Sequence, residues 1–191
     1  GHVQLGPERF PKIAIKLETR LAPGLQVSPK LVDALLEILR LRGYHKSEIV
    51  LVDFDPSSLE RGGFSDGKSH RPGYKGHHVI SFAKEEYVNP DWFHESPMPP
   101  ALHDRASYFL RYPTDASKRA EEERKSYLPT ILFLKDFHWI NLAVAMDDTN
   151  LGLDGASANL TLGAINNSMR FIQKPTIAPA AVAEILAIPE I

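Results

Sequence analysis

A strand–helix–strand run near the amino end constrains this chain more than any other feature. Lys12 to Leu17 (Lys-Ile-Ala-Ile-Lys-Leu) alternates with period two, the pattern of a strand. Pro23-Gly24 punctuates the loop behind it. Ser28-Pro29 then opens a helix, with serine as N-cap and proline at the first helical position, where a missing N–H costs nothing. From Lys30 to Leu41 eight of twelve positions are apolar, and Lys30, Asp33, Glu37 and Arg40 form one polar stripe. A helix apolar over so much of its circumference suits packing on a sheet. Gly43 supplies a left-handed stop. Glu48 to Phe54 is nearly continuous in apolar residues, as in strands buried on both faces of a parallel sheet. Together these segments make a βαβ unit. The fold expected is therefore α/β, in three layers. Its sheet is largely parallel, with helices on both faces, and holds residues 13–17, 49–54 and 139–145.

The rest of the chain is less regular. A short strand fits His77 to Phe82, and 65–125 as a whole reads as an irregular insertion, proline-rich from Asn89 to Pro113. Residues 115–125 are charged and suit a solvated helix. Strands are expected at 130–134 and 139–145, and helices at 157–165 and 179–187. With 191 residues, 43% of them hydrophobic, the expectation is a single α/β domain over 1–191, one that a longer parent chain could contain. Gly1-His2 reads as a processed or engineered start, so localisation is not legible. The absence of cysteine excludes an iron–sulfur cluster, a cysteine-based zinc site or a cysteine nucleophile supplied by this chain. A net charge of −2 argues against nucleic acid as the partner. The lack of a long apolar run argues against a membrane span.

Residues 62–69, Gly-Gly-Phe-Ser-Asp-Gly-Lys-Ser, fit the phosphate-loop pattern G-x-x-x-x-G-K-[ST]. That chemistry needs a strand directly before the loop and a helix starting at its Lys-Ser. Here the acidic strand ends well before Gly62, and Pro72-Gly73 interrupts any helix after Ser69. The segment is read as a glycine-rich loop, with nucleotide binding as the lesser alternative. The eight histidines include no i, i+4 metal pair on a credible helix.

Asp147-Asp148-Thr149-Asn150, followed by Gly152, Asp154 and Gly155, is rich in oxygen ligands, though without the order of a calcium loop. An Asx-rich turn leaving a strand is the favoured reading of the string. The segment follows an expected strand, and Asp53 and Asp55 follow an earlier one. Open α/β sheets bind ligands outside the carboxyl ends of their strands. If the two strands are neighbours, these carboxylates gather at one sheet edge, and Lys135, Asp136 and His138 could join them. The candidate ligand-binding residues are Asp147, Asp148, Asn150, Asn159 and Asp53, with Asp147 and Asp148 as candidate ligands of a divalent cation.

Several strings carry a family resemblance. They are Val27-Ser28-Pro29-Lys30-Leu31-Val32, Trp139-Ile140-Asn141-Leu142, Leu151-Gly152-Leu153-Asp154-Gly155-Ala156 and Ala158-Asn159-Leu160-Thr161-Leu162-Gly163. Together they resemble the bacterial domain-of-unknown-function family 362. The resemblance implies an α/β fold and singles out Asn159. The chain departs from the family at Ala158, where relatives often carry Lys, and at Met146-Asp147-Asp148, where they often carry Lys-x-His. The function expected is small-molecule or divalent-cation binding at the strand ends. The alternative is a non-catalytic interaction domain of a larger assembly, presenting Trp92, Phe93, Tyr108, Phe109 and Tyr112.

Overall fold

The computed structural model describes residues 5–65, 73–83, 88–96, 113–133, 136–172 and 174–191. The chain forms two compact units. One comprises Gly1–Ser81 with Leu134–Val144, the other Phe82–Phe133 with Ala145–Ile191.

The first unit is a five-stranded sheet built from β1 (Lys12–Lys16), β2 (Ile49–Asp53), β3 (Gly73–Tyr74), β4 (His77–Ser81) and β7 (Phe137–Asn141). The order is β3-β4-β2-β1-β7, all parallel except the two-residue edge strand β3. Helix α1 (Pro29–Leu41) joins β1 to β2, and α2 (Pro56–Arg61) follows β2. Pro29 opens α1 as the sequence implies, although the Ser28 side chain makes no cap hydrogen bond. Gly43, at φ 95°, closes it. Its N–H donates to the Arg40 carbonyl and that of Tyr44 to the Leu39 carbonyl, a Schellman stop.

Val32, Leu36 and Leu39 of α1 and Leu59 of α2 share one core with Ile13, Ile15, Ile49, Leu51 and Val79 of the sheet. Successive strand residues alternate faces, so these helices cover the same side of the sheet. Ala14, Val50, Val52 and Ile80, on the opposite side, are buried too. The apolar breadth of α1 exceeds its buried face, since Leu31, Ile38 and Leu41 are 54%, 52% and 70% exposed.

In the second unit, β5 (Val88–Glu95) pairs antiparallel with β6 (Lys125–Pro129), and β8 (Met146–Asp148) with β9 (Gly152–Asp154). Helices α3 (Ala116–Glu122), α4 (Ala156–Leu160), α5 (Met169–Ile172) and α6 (Ala178–Leu186) belong to it among the described residues. Its core gathers Leu128, Leu162, Ile165, Phe171, Ala181 and Ile185.

Several boundaries move from the expected ones. The strand expected at 130–134 is instead a 3-10 turn, Thr130–Phe133, and the strand is the more polar β6 before it. Pro129 ends the ladder, because proline has no N–H to donate. The strand expected at 139–145 runs Phe137–Asn141 and stops short of Ala143. The stretch 65–125 holds β3, β4, β5 and α3 among its described residues; 97–112 lies outside them, with Tyr108, Phe109 and Tyr112. Among the described residues no helix is long and apolar enough to cross a membrane.

Candidate functional site

The order of the sheet marks one place at its carboxyl edge. In chain order, β1, β2 and β4 step outward in one direction, and β7 then adds on the other side of β1. The strand order reverses between β1 and β7. That reversal is where parallel α/β sheets open a ligand crevice.

A buried charge pair occupies this edge. Lys16, the last residue of β1, has a fully buried side chain, and that of Asp53, the last of β2, is 7% exposed. Lys16 Nζ donates to Asp53 Oδ1 at 2.6 Å and to the Leu17 carbonyl at 2.7 Å. The Phe54 N–H donates to the same carboxylate oxygen at 2.8 Å. Asp53 Oδ2 accepts from the Thr19 N–H at 2.8 Å and from Thr19 Oγ1 at 2.6 Å. One carboxylate thus ties together the ends of both strands and the loop leaving β1. Thr19 and Glu18 are buried as well. Asn141, half-buried at the end of β7, is the register partner of Lys16, and the Leu142 N–H donates to the Lys16 carbonyl at 2.9 Å.

Period-two alternation assigns Lys12 and Lys16 to one face and suggests that it is wet. Lys12 does reach solvent, pairing with Asp136 at 2.8 Å. Lys16 does not: β1 is a central strand flanked by β2 and β7, and the Lys16 side chain is fully buried. A lysine in such a strand needs a carboxylate within reach, and that requirement is the signal that points to Asp53.

The other expected site residues have separate tasks. Asp55 is the N-cap of α2, its Oδ2 accepting from the Ser58 N–H at 2.8 Å. The strands ending at Asp53 and Asn141 are not neighbours, since β1 lies between them. Asp53 belongs to the first unit, and Asp147, Asp148, Asn150 and Asn159 to the second. Asp147 and Asp148 lie on β8, where adjacent side chains point to opposite faces. Asp147 is exposed. Asp148 Oδ1 accepts from the Asn150 and Leu151 N–H groups, both at 2.8 Å, and so shapes the turn into β9. Asn159 is buried on α4, packed so closely on Gly163 that a Cβ there would lie 2.7 Å from the Asn159 carbonyl oxygen. Among the described residues no three His, Asp or Glu side chains are grouped to hold a metal ion.

The phosphate-loop pattern begins at a helix end rather than after a strand. Gly62 is the C-cap of α2, and Gly63 has φ 80°. The N–H groups of Gly62, Gly63 and Phe64 donate to the carbonyls of Ser58, Glu60 and Leu59. None of the three faces outward for a phosphate, and the carbonyl end of a helix repels anions. Residues 66–69 lie outside the described residues.

No protein-family model, no curated protein and no solved structure matches this chain.

Proposed function

We propose that this chain is a small-molecule-binding α/β domain related to the bacterial domain-of-unknown-function family 362. In this reading it takes a hydroxyl-rich ligand between the carboxyl ends of β1 and β7, with Asn141 at the mouth and Lys16, Asp53 and Thr19 as the polar floor. The observation that carries the reading is the buried Lys16–Asp53 pair, set beside the reversal of strand order. Apolar residues of similar volume are often as stabilising as a buried ion pair, so charge retained at this edge is better explained by recognition than by stability. The burial of Ala14, Val50, Val52 and Ile80 opposite α1 and α2 supports a sheet covered on both faces, the three-layer arrangement. The net charge of −2 favours a small molecule over nucleic acid.

Thermal denaturation of the whole chain with glucose, citrate or magnesium chloride tests the reading. The sugar is expected to raise Tm, by the equivalent of ~2.7 kcal/mol at a hundred times its dissociation constant. Asn141→Leu should abolish that shift, and Asp147→Asn with Asp148→Asn should leave it intact. No shift with glucose refutes the hydroxyl-rich ligand. A magnesium shift lost with the two aspartates moves the site to the β8–β9 hairpin.

A further inference from the structure

At the opposite, amino end of the sheet, α1 and the starts of β2 and β4 surround a cavity of about 270 Å³. That is near the lower limit for small-molecule pockets, the size for a metabolite of a few heavy atoms. Leu36, Tyr44 and Ile49 give it an apolar wall.

The charges around it divide unevenly. Asp33 Oδ2 accepts from Lys75 Nζ at 2.6 Å, and its Oδ1 from the Tyr74 hydroxyl at 2.9 Å. Glu37 and Arg40 hold each other through two hydrogen bonds, at 2.7 and 2.9 Å. Both carboxylates are thus matched by a cation on their own side of the cavity, and the hydrogen bonds from Lys75 and Arg40 hold them below the usual carboxylate range. Lys46 is left over. Its ammonium donates to the Lys75 carbonyl at 3.0 Å and has no carboxylate partner among the described residues.

The hairpin from β3 to β4 fixes that ammonium. Lys75 and Gly76 both have positive φ, 52° and 87°, as a two-residue type I′ turn requires. Lys46 lies against the turn so closely that a Cβ on Gly76 would sit 3.2 Å from its Cδ. Beside it, His77 is 7% exposed, and its Nδ1 has no hydrogen-bond partner among the described residues. The ring also hydrogen-bonds the Lys46 backbone, and a neutral imidazole that has spent its one N–H has only a lone pair left. His77 therefore walls the cavity, and the Lys46 ammonium is the group that meets an anion.

We propose that this cavity binds a small aliphatic carboxylate, its head on Lys46 and its tail along Leu36, Tyr44 and Ile49. A monoanion fits better than a dianion such as phosphate, because Asp33 and Glu37 stand on the rim and repel the second charge. A tail is required because the wall opposite the cation is apolar.

The test is an amide NMR titration of the whole chain with sodium butyrate, sodium acetate and sodium phosphate at matched ionic strength. Butyrate should shift the Lys46, Ile49 and His77 amides saturably. Acetate, two methylenes shorter, should bind about fifteenfold more weakly, at about fourfold per buried methylene. Lys46→Gln, at an exposed position that the fold tolerates, should weaken butyrate about tenfold. The proposal is overturned by absence of saturable shifts, by equal affinity in Lys46→Gln, or by phosphate or acetate binding as tightly as butyrate.

Discussion

Replacing Lys16 by methionine keeps the length of the side chain and removes its charge. Asp53 would then keep the Thr19 and Phe54 donors but lose the one cation that meets its carboxylate among the described residues. With side-chain exposures of 0% and 7%, the pair is screened from bulk water. Breaking a pair buried this deeply costs ~3–5 kcal/mol, because the partner charge stays behind unmatched. Lys12 and Asp136 supply an internal control. They meet at 2.8 Å, almost the same distance, but at 44% and 56% exposure. Lys12→Met should therefore cost no more than ~1 kcal/mol. Adding Asp53→Asn to Lys16→Met removes the stranded charge, and the double variant should be less destabilised than the sum of the singles by ~1–3 kcal/mol. Urea unfolding followed by Trp139 fluorescence, in a Trp92→Phe background, reports on β7 and so on the first unit. The m-value must stay constant for the comparison to hold. Equal losses for Lys16→Met and Lys12→Met, or strict additivity in the double variant, refute the argument from burial.

Leu39→Ala, at a fully buried core position of α1, should cost ~2–5 kcal/mol, and Leu35→Ala, only partly buried, less; urea midpoints decide it. Gly43→Ala has room, with Pro7 Cγ 3.7 Å from the added carbon, but φ 95° should still cost ~1–2 kcal/mol by thermal unfolding. Asp148→Ala should lose ~1 kcal/mol with its turn hydrogen bonds, whereas Asp147→Ala should change stability by less than ~0.5 kcal/mol. Burial pushes the His77 and His94 imidazoles below the ordinary 6.5. The unfolded chain then binds more protons, so stability is complete above 6.5 and falls as pH drops from there toward the folded values. The urea midpoint should decline through that window, and His77→Gln should flatten the decline in the first unit; an unchanged profile contradicts it.

The βαβ core was legible because each signal there is local. Ser28-Pro29 and Gly43 bracket α1, and the apolar run of β2 needs no partner to be recognised. Strand β6 was not legible, because what buries its polar residues comes from far along the chain. Arg170 donates to Ser126 Oγ at 2.7 Å, and the Tyr127 N–H to Asn166 Oδ1 at 2.6 Å. Before folding, Lys125-Ser126 looks like the end of a charged helix. The site was half legible. Asp53 follows from the rule that ligands lie beyond strand ends, but Lys16 hides in an alternation that reads as solvent-facing. Asp147 and Asp148 were drawn to the same edge by a strand read four residues too long, ending at Ala145 instead of Asn141. That difference places them on a separate hairpin.

The first unit takes its fifth strand late. The chain completes β4, runs from Phe82 to Phe133 through the other unit, and only then returns to lay β7 against β1. If the first four strands paired before β7 emerged from the ribosome, β1 would be an open edge, able to pair with a neighbouring nascent chain. Lengthening the excursion adds little to the closure penalty, ~0.6 kcal/mol per doubling, so it is an economical place for insertions. The return strand also carries Asn141, so the ligand site proposed beside Lys16 requires both distant segments. A protease cut within the excursion would leave β7 on a separate fragment, held by its backbone ladder to Lys12–Lys16. Once separated, the two pieces would restore the five-stranded sheet only by reassociating, at a rate set by their concentration.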